Sequence, residues 1–145
     1  MDKYMKLAVE EAQKSANEGG IPIGAVLVKN DKLISSGHNK RVQLDNQILH
    51  GEIDCLSNAG RIRSFKDTVM YSTLMPCYMC AGAIVQFKIP KIFVGENKNF
   101  DGAYEFLKKN NVEVVVLNLK ECKEMLSSFI NNHEEIWYED IGKDE

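Results

Sequence analysis

The stretch TVMYSTLMPCYMCAGAIVQF, residues 68–87, predicts a β-strand that runs directly into an α-helix. Residues 68–74 are rich in β-branched and aromatic side chains, a composition that favours a strand. Pro76 is favourable at the start of a helix because its ring fixes φ near the helical value. The sequence therefore predicts a strand–helix unit whose helix begins with Cys77 and Cys80 on one face.

Further strands and helices follow this unit along the chain. Residues 91–96 predict a strand, a helix is expected near 102–110, and residues 112–118 form a nearly continuous β-branched run. Such a run is typical of a strand that is covered on both faces. Asn118 and Glu121 predict a capping box at the start of the next helix. The apolar face of that helix carries Cys122, Met125, Leu126, Phe129 and Ile130.

The residues before the unit predict a helix, a β-hairpin and a second, shorter helix. The first helix begins after Asp2, a suitable N-cap, and ends at a pair of glycines. Residues 23–30 and 33–38 predict two strands joined by an Asn-Asp turn. Residues 51–60 have the length and the C-terminal glycine of a short helix.

Strands and helices alternate after the opening hairpin, and this order decides the fold class. It predicts an α/β protein, a three-layer α/β/α sandwich with a mixed five-stranded sheet. A chain of 145 residues is long enough to bury a core without disulfides or structural metals. We therefore expect a single domain that covers residues 1–145.

Charge and cysteine content limit the classes of function. Lysine and arginine number 18 against 21 acidic residues, a formal charge of −3, so the chain has no overall basic character for nucleic acid. The N-terminal twenty residues are charged throughout, unlike a signal peptide or a membrane anchor. We therefore expect a cytoplasmic protein without membrane contact. In a reducing compartment its four cysteines are expected to bind metal or to be buried.

Three side chains have the spacing of a metal site. Cys77 and Cys80 lie on one face at the start of a helix, where the positive end of the helix dipole favours thiolates. His50 is a candidate third ligand for Zn²⁺. Three protein ligands leave one coordination position open, which is the pattern of a catalytic zinc site rather than of a structural one.

Glu52 follows the candidate ligand His50 by two residues and has a different predicted role. A carboxylate beside a metal site can act as a general acid and base. The order H-x-E…P-C-x-x-C is the signature of the zinc-dependent nucleobase deaminases, in which the glutamate moves protons and does not bind the metal. The sequence meets every position of this signature.

Each element of the signature also has a simpler interpretation. A lone C-x-x-C pair could be a redox pair, and a structural zinc site would need a fourth ligand, for which Cys55 is the nearest candidate. We expect Cys55 and Cys122 to be buried as small apolar side chains. Structural or surface roles are expected for His38 and His133.

Beyond these motifs, the sequence resembles the cytidine deaminase superfamily and, within it, the fungal-type cytosine deaminases. The likeness covers nearly the whole chain. It is carried by EGGIPIGAVLV (18–28), GHNKR (37–41), LHGEI (49–53), CAGAIV (80–85), IPKIFVGENKNF (89–100) and WYEDIG (137–142). The resemblance implies a cytidine-deaminase-like fold, one zinc ion per chain and a homodimer. The sequence itself supports a homodimer only indirectly, through apolar residues such as Met79 and Ile84 on the metal-binding helix.

The resemblance also implies substrate-binding roles that the residues alone would not reveal. Asn39 and the backbone N–H of Gly51 would bind the edge of a pyrimidine, and Asp140 would lie near the leaving amine. Phe100, Trp137 and Ile23 would form the walls, and residues 133–145 would form a lid. Without the resemblance, Asn39 would be interpreted as a turn residue, Asp140 as a solvated acid, Phe100 as a loop cap and Trp137 as a packing residue.

The implied reaction is hydrolytic deamination of free cytosine to uracil and ammonia, a step of pyrimidine salvage. Three alternatives remain: a tRNA adenosine deaminase, a deaminase of guanine or another amino-heterocycle, and a non-enzymatic zinc module. The chain departs from the fungal pattern in residues 42–48, where Val42 replaces an aromatic residue and Asn46-Gln47-Ile48 replace smaller ones. This departure bears on which base is the substrate, and no nucleic-acid partner is expected.

Overall fold

The computed structural model describes residues 1–143 and contains a five-stranded mixed sheet between helices. Its strands are β1 Gly24–Lys29, β2 Lys32–His38, β3 Thr68–Ser72, β4 Lys91–Val94 and β5 Glu113–Val116. The helices are α1 Lys3–Asn17, α2 Gly51–Ala59, α3 Tyr78–Gln86, α4 Tyr104–Lys109, α5 Lys120–Asn132 and α6 Glu134–Ile141. The last two residues of the predicted domain and lid lie outside the described residues.

The strands are ordered β2-β1-β3-β4-β5 across the sheet. The β1 strand is antiparallel to both of its neighbours, whereas β3, β4 and β5 are parallel to one another. Asn30 and Asp31 form the predicted hairpin turn, with φ of 51° and 60°. Positive φ at both central residues gives a turn whose twist matches that of the strands. The predicted mixed sheet and its hairpin are confirmed.

Helices cover both faces of the sheet because alternate residues of each strand point to opposite sides. Ala25 and Leu27 of β1 contribute to a core shared with α2, α3 and α4. Val26 and Val28 of the same strand contribute to a second core, which contains the buried face of α1. A third cluster joins α5 and α6 to the loop before β1 and to Leu74. The three-layer prediction is therefore confirmed.

Two local predictions near the end of the chain were wrong. The β5 strand lies at the edge of the sheet, with Glu113 exposed and its valines half-buried, so it is not a strand covered on both faces. Asn118 does not cap α5: its φ is 55°, Leu119 holds the N-cap position, and no side chain caps this helix. Asn118 instead accepts a hydrogen bond from the Lys123 ammonium group. Glu121 therefore has no capping-box partner.

The α6 helix was not predicted from the sequence, and the prediction for one apolar residue was wrong. The acidic tail folds as Glu134–Ile141 because Trp137 buries its ring in the third cluster, which local charge does not reveal. Ile84, a candidate for a subunit surface, is fully buried in the core of its own chain. Within residues 1–143, no helix combines the length and the apolar character that crossing a bilayer requires.

Candidate active site

Two helix N-termini meet beside the carboxyl end of β3. His50 is the N-cap of α2 and Cys77 is the N-cap of α3, and both have extended backbone conformations, with ψ of 161° and 175°. Neither side chain caps its own helix, so both remain available for other partners. The positive ends of both helix dipoles therefore favour negative charge here.

The three predicted metal ligands converge at this point. The ligand atoms of His50, Cys77 and Cys80 all lie within 4.8 Å of one another. Cys77 Sγ and His50 Nδ1 are 3.5 Å apart. Donor atoms about 2.0–2.3 Å from a tetrahedral Zn²⁺ ion are separated by similar distances. Among the described residues, no fourth histidine, cysteine or acid belongs to this group. One imidazole and two sulfurs thus fit zinc with one position open.

The electrostatics of the two sulfurs differ. A hydrogen bond from Cys80 and the neighbouring His50 lower the pKa of the Cys77 thiol to about 4, against an opposing effect of burial. The pKa of Cys80 is raised by that shared hydrogen bond and by burial. Burial alone would lower the pKa of His50, but Cys77 and Asp140 outweigh this effect and raise the pKa to about 9. These contacts therefore favour the thiolate form of Cys77.

Glu52 lies in the first turn of α2 and is almost fully buried. Burial, together with the adjacent Cys77 thiolate, raises the pKa of Glu52 to about 7. A carboxyl group with a pKa near the working pH can both accept and donate a proton. The position of Glu52 beside the metal ligands is therefore suited to proton transfer.

The site encloses a cavity of only about 10 Å³. Its walls are Ile23, His50, Glu52, Leu74, Met75, Cys77, Phe100 and Asp140. Such a volume holds about one water molecule, so a heterocyclic base enters only when a wall moves. Leu74 and Met75 were not predicted, although they directly precede Pro76 and the C-x-x-C pair.

Asn39 and the side chain of Asp140 are buried and bind each other. Asn39 Nδ2 donates to Asp140 Oδ1 over 3.1 Å, and Asn39 Oδ1 accepts from the backbone N–H of Arg41 over 3.0 Å. Asp140 Oδ1 also lies 3.5 Å from His50 Nε2. Burial raises the pKa of Asp140, while His50, Asn39 and Arg41 oppose that rise. The solvated-acid interpretation of Asp140 is therefore wrong.

The remaining predicted substrate-binding residues surround this centre at different depths. A Cβ atom at Gly51 would lie 3.0 Å from the carbonyl oxygen of Ile23, so this position has little room for a side chain. Ile23 and Phe100 line the cavity directly. Trp137 packs edge-on against Phe100, with ring centroids 6.1 Å apart. Trp137 therefore supports a wall of the cavity from behind.

The other histidines and cysteines lie outside the candidate metal centre. His38 is buried between two carboxylates, with Nδ1 2.7 Å from Glu11 and Nε2 2.9 Å from Glu18. Cys55 and Cys122 are buried in the protein interior, as predicted. Because Cys55 is not in the ligand group, the four-ligand structural site has no support from this geometry.

A histidine, two cysteines and an adjacent buried glutamate on this α/β fold define the zinc-dependent deaminase class. The family model described as the cytidine and deoxycytidylate deaminase zinc-binding region matches residues 1–96, two thirds of the chain. The chain therefore belongs to the cytidine and deoxycytidylate deaminase family. This match confirms zinc as the metal expected from the sequence.

Full-length relatives and a solved structure agree with this family. A cytosine deaminase of Candida albicans is 44% identical over 97% of this chain and 96% of its own length. A tRNA-specific adenosine deaminase of Buchnera aphidicola is 35% identical over 89% of this chain and 93% of its own length. A structure from studies of A-to-I editing by tRNA:A34 deaminases superposes with a TM-score of 0.74 and 29% identity, covering 85% of this chain and 98% of that one.

Proposed function

We propose that this protein is a cytosine deaminase that hydrolyses the free base to uracil and ammonia in pyrimidine salvage. The main support is the 44% identity to a cytosine deaminase over nearly the full length of both chains. The three-ligand metal centre with the buried Glu52 beside it also supports a hydrolytic deaminase.

In this proposal His50, Cys77 and Cys80 hold the zinc ion. Zinc bound by three protein ligands supplies a Lewis acid that lowers the pKa of water toward about 7. The thiolate form of Cys77 supports this assignment, since thiolates are the sulfur ligands of zinc.

Glu52 is the proposed proton carrier. It takes a proton from the attacking water and delivers it to N3 of the ring as oxygen bonds to C4. It then transfers the second water proton to the exocyclic amine, which leaves as ammonia when the C4–N bond breaks. A pKa of about 7 allows one carboxyl group to perform both transfers near neutral pH.

The substrate is held by polar groups at one end of the cavity. Asn39 offers both a donor and an acceptor and is assigned to the edge of the pyrimidine, together with the backbone N–H of Gly51. Asp140 is assigned to the leaving amine, because its carboxylate lines the cavity beside His50. Ile23 and Phe100 contact the flat faces of the base.

The C-terminal segment 133–145 is proposed to be the lid of the site. Its helix α6 carries Asp140 and Trp137, which close and support the cavity. The cavity is too small for a base, and the lid assignment accounts for entry by a movement of α6 away from Phe100. Hydrogen exchange of α6 should slow when a hydroxypyrimidine inhibitor occupies the site, and unchanged exchange would contradict the lid assignment.

A tRNA adenosine deaminase is the second candidate, favoured by the 35% identity to the Buchnera enzyme. Such an enzyme must neutralise phosphates around a flipped base. The net charge of −3 and the exposed Glu134, Glu135 and Glu139 on the lid oppose that role. A tRNA substrate would make activity fall steeply with salt, whereas a free base would not.

Residues 42–48, which depart from the fungal pattern, leave the choice of base open to test. Val42, Leu44 and Ile48 expose apolar side chains in this loop. The loop does not line the closed cavity. An effect on the choice of base, including guanine, would therefore require contact in the open state of the site.

A substrate panel tests the proposed function directly. Zinc content is measured first, and then ammonia release from cytosine, 5-substituted cytosines, cytidine, guanine and adenosine-containing RNA. The proposal expects free cytosine to exceed the others in kcat/KM. A preference for cytidine, guanine or RNA would replace it, and a zinc protein with no activity would indicate a non-enzymatic module.

We also propose a cytoplasmic homodimer. Tyr78, Met79 and Phe87 of the metal-binding helix and its C-cap are exposed, with Tyr78 at 70% of its maximal accessibility. Large exposed apolar side chains can mark an interface when a partner covers them. Sedimentation equilibrium should give twice the chain mass, and Tyr78→Glu should reduce it to the monomer value.

A further inference from the structure

Behind Asp140 lies an open cleft of about 340 Å³ between the 41–47 loop and α6. Its walls are Arg41, Val42, Asp45, Asn46, Gln47, Ile136 and Glu139. Asp140 lines the closed cavity, whereas Arg41 lines this outer cleft. Arg41 Nη1 lies 3.6 Å from Asp140 Oδ1, so the two side chains together separate the closed cavity from the outer cleft.

The Arg41 side chain is buried and has defined partners. Only 4% of it is exposed, and its Nε donates to the carbonyl oxygen of Gln47 over 3.1 Å. Its own backbone N–H donates to Asn39, which in turn donates to Asp140. A buried guanidinium requires a carboxylate partner, and its rigid fork can hold two acceptors in fixed positions.

We propose that Arg41 is a positioning residue that holds the Asp140 carboxylate at the leaving-amine end of the cavity. The inference rests on the proposed function, which assigns Asp140 to the amine. Arg41 connects two segments distant in sequence, the loop that leads into His50 and the lid helix that carries Asp140. It acts through Asp140 and does not line the closed cavity itself.

The geometry explains why Asn39 alone would not hold the Asp140 carboxylate in position. Asn39 and His50 both approach Asp140 Oδ1. Arg41 approaches the same oxygen from the side of the cleft and supplies a permanent positive charge. Without that charge, the carboxylate gains free energy by turning toward the water of the cleft. The Asp140 oxygens would then leave the amine, and the wall would open to solvent.

A double-mutant cycle tests this positioning role. Arg41→Met, Asp140→Asn and the double variant are compared with wild type for zinc content, melting temperature, kcat and KM. Because small displacements in a site are costly, Arg41→Met should lower kcat by about 10- to 100-fold with zinc retained. In the Asp140→Asn background the same change should lower kcat by less than about 2-fold, since the residue acts through Asp140.

Conservative and control variants distinguish positioning from simple stabilisation. Arg41→Lys should retain part of the kcat that Arg41→Met loses, because lysine keeps the positive charge but lacks the planar guanidinium group. Arg61→Met, a change at an exposed arginine, should leave kcat and KM unchanged. Equal losses in both backgrounds would overturn the inference. A lower melting temperature with wild-type kcat and KM would also overturn it.

A measurement without substrate separates this inference from the proposed function. Failure of every base in the panel would reject the proposed function, whatever Arg41 does. Hydrogen exchange of α6 in the zinc-loaded protein should still rise in Arg41→Met and not in Arg61→Met. Unchanged exchange in Arg41→Met would reject the Arg41–Asp140 connection even in an active deaminase.

Discussion

Cys77 Sγ lies 3.5 Å from His50 Nδ1, although 27 positions separate the two residues. Both are the N-caps of helices, so the ends of α2 and α3 meet at these two atoms. The metal centre therefore depends on the packing of two helices against the same face of one sheet. Each helix contributes its positive end as well as its ligands.

Removal of one sulfur should abolish the metal site. Cys80→Ala leaves one imidazole and one thiolate, too few protein ligands for a stable zinc site. We expect zinc content well below one ion per chain after dialysis, with turnover lost in parallel. Cys55→Ala is the matched control, because Cys55 is equally buried but outside the ligand group. Full zinc occupancy in Cys80→Ala would contradict the ligand assignment.

Replacement of the proposed proton carrier should separate metal binding from turnover. Glu52→Gln keeps the shape of the side chain but cannot exchange protons. We expect normal zinc content and a kcat reduced by at least about 100-fold, as for a general acid–base residue. Glu105→Gln, a change at an exposed acid of α4, is the control. Activity of Glu52→Gln within a few-fold of wild type would remove Glu52 from the mechanism.

The Trp137 ring should stabilise both the fold and the cavity wall. It is 3% exposed and packs against Phe100. Trp137→Ala should lower the free energy of unfolding by about 3–5 kcal/mol, measured by denaturant titration of the zinc-loaded protein. Trp137→Phe keeps an aromatic ring and should lose less. Equal stability of the alanine variant and wild type would show that α6 packs differently.

Glu96 should position the loop that carries Phe100. It is fully buried and accepts hydrogen bonds from the backbone N–H groups of Lys98 and Asn99 and from the Asn99 amide. Glu96→Gln replaces one acceptor oxygen with a donor, so we expect a loss of about 1–3 kcal/mol and a raised KM. Unchanged KM and unfolding free energy would contradict this positioning role.

Glu11 should make the stability of the fold depend on pH in acid. Burial raises the pKa of Glu11, but hydrogen bonds from His38, Ser36 and Lys14 outweigh it, and the folded pKa lies below the usual 4.5. A carboxyl group with a lowered folded pKa stabilises the fold above its unfolded pKa. That contribution is lost as the pH falls through the folded value.

The free energy of unfolding should therefore decrease as the pH falls below about 4.5. The decrease should be shallower in Glu11→Gln than in Glu10→Gln, a change at the exposed neighbouring acid. Both variants lose zinc in acid alike, so their difference isolates Glu11. Parallel pH curves for the two variants would show that Glu11 makes no such contribution.

Local sequence predicted most of the sheet and the metal ligands. The Asn30-Asp31 turn was predictable because few residues adopt two consecutive positive φ values. The ligand pair Cys77 and Cys80 was predictable because one helical turn fixes their relation. The edge position of β5 was not predictable, since a β-branched run shows that a strand forms and not which strands flank it. The cap at Asn118 was misplaced for the same reason. The capping-box rule uses only neighbouring residues, and tertiary structure can override it.

The sequence by itself predicted the fold class, the zinc ligands and the proposed acid–base glutamate, because the order of strands and helices and the H-x-E and C-x-x-C motifs are visible along the chain. Tertiary structure decided the α6 helix and the contact of Arg41 with Asp140, which lie 99 positions apart. It also decided that the Asp140 side chain is buried beside His50 while the neighbouring Glu139 is exposed. The physical reason is that burial and charge pairing are set by whichever elements pack together, and no local pattern contains that information.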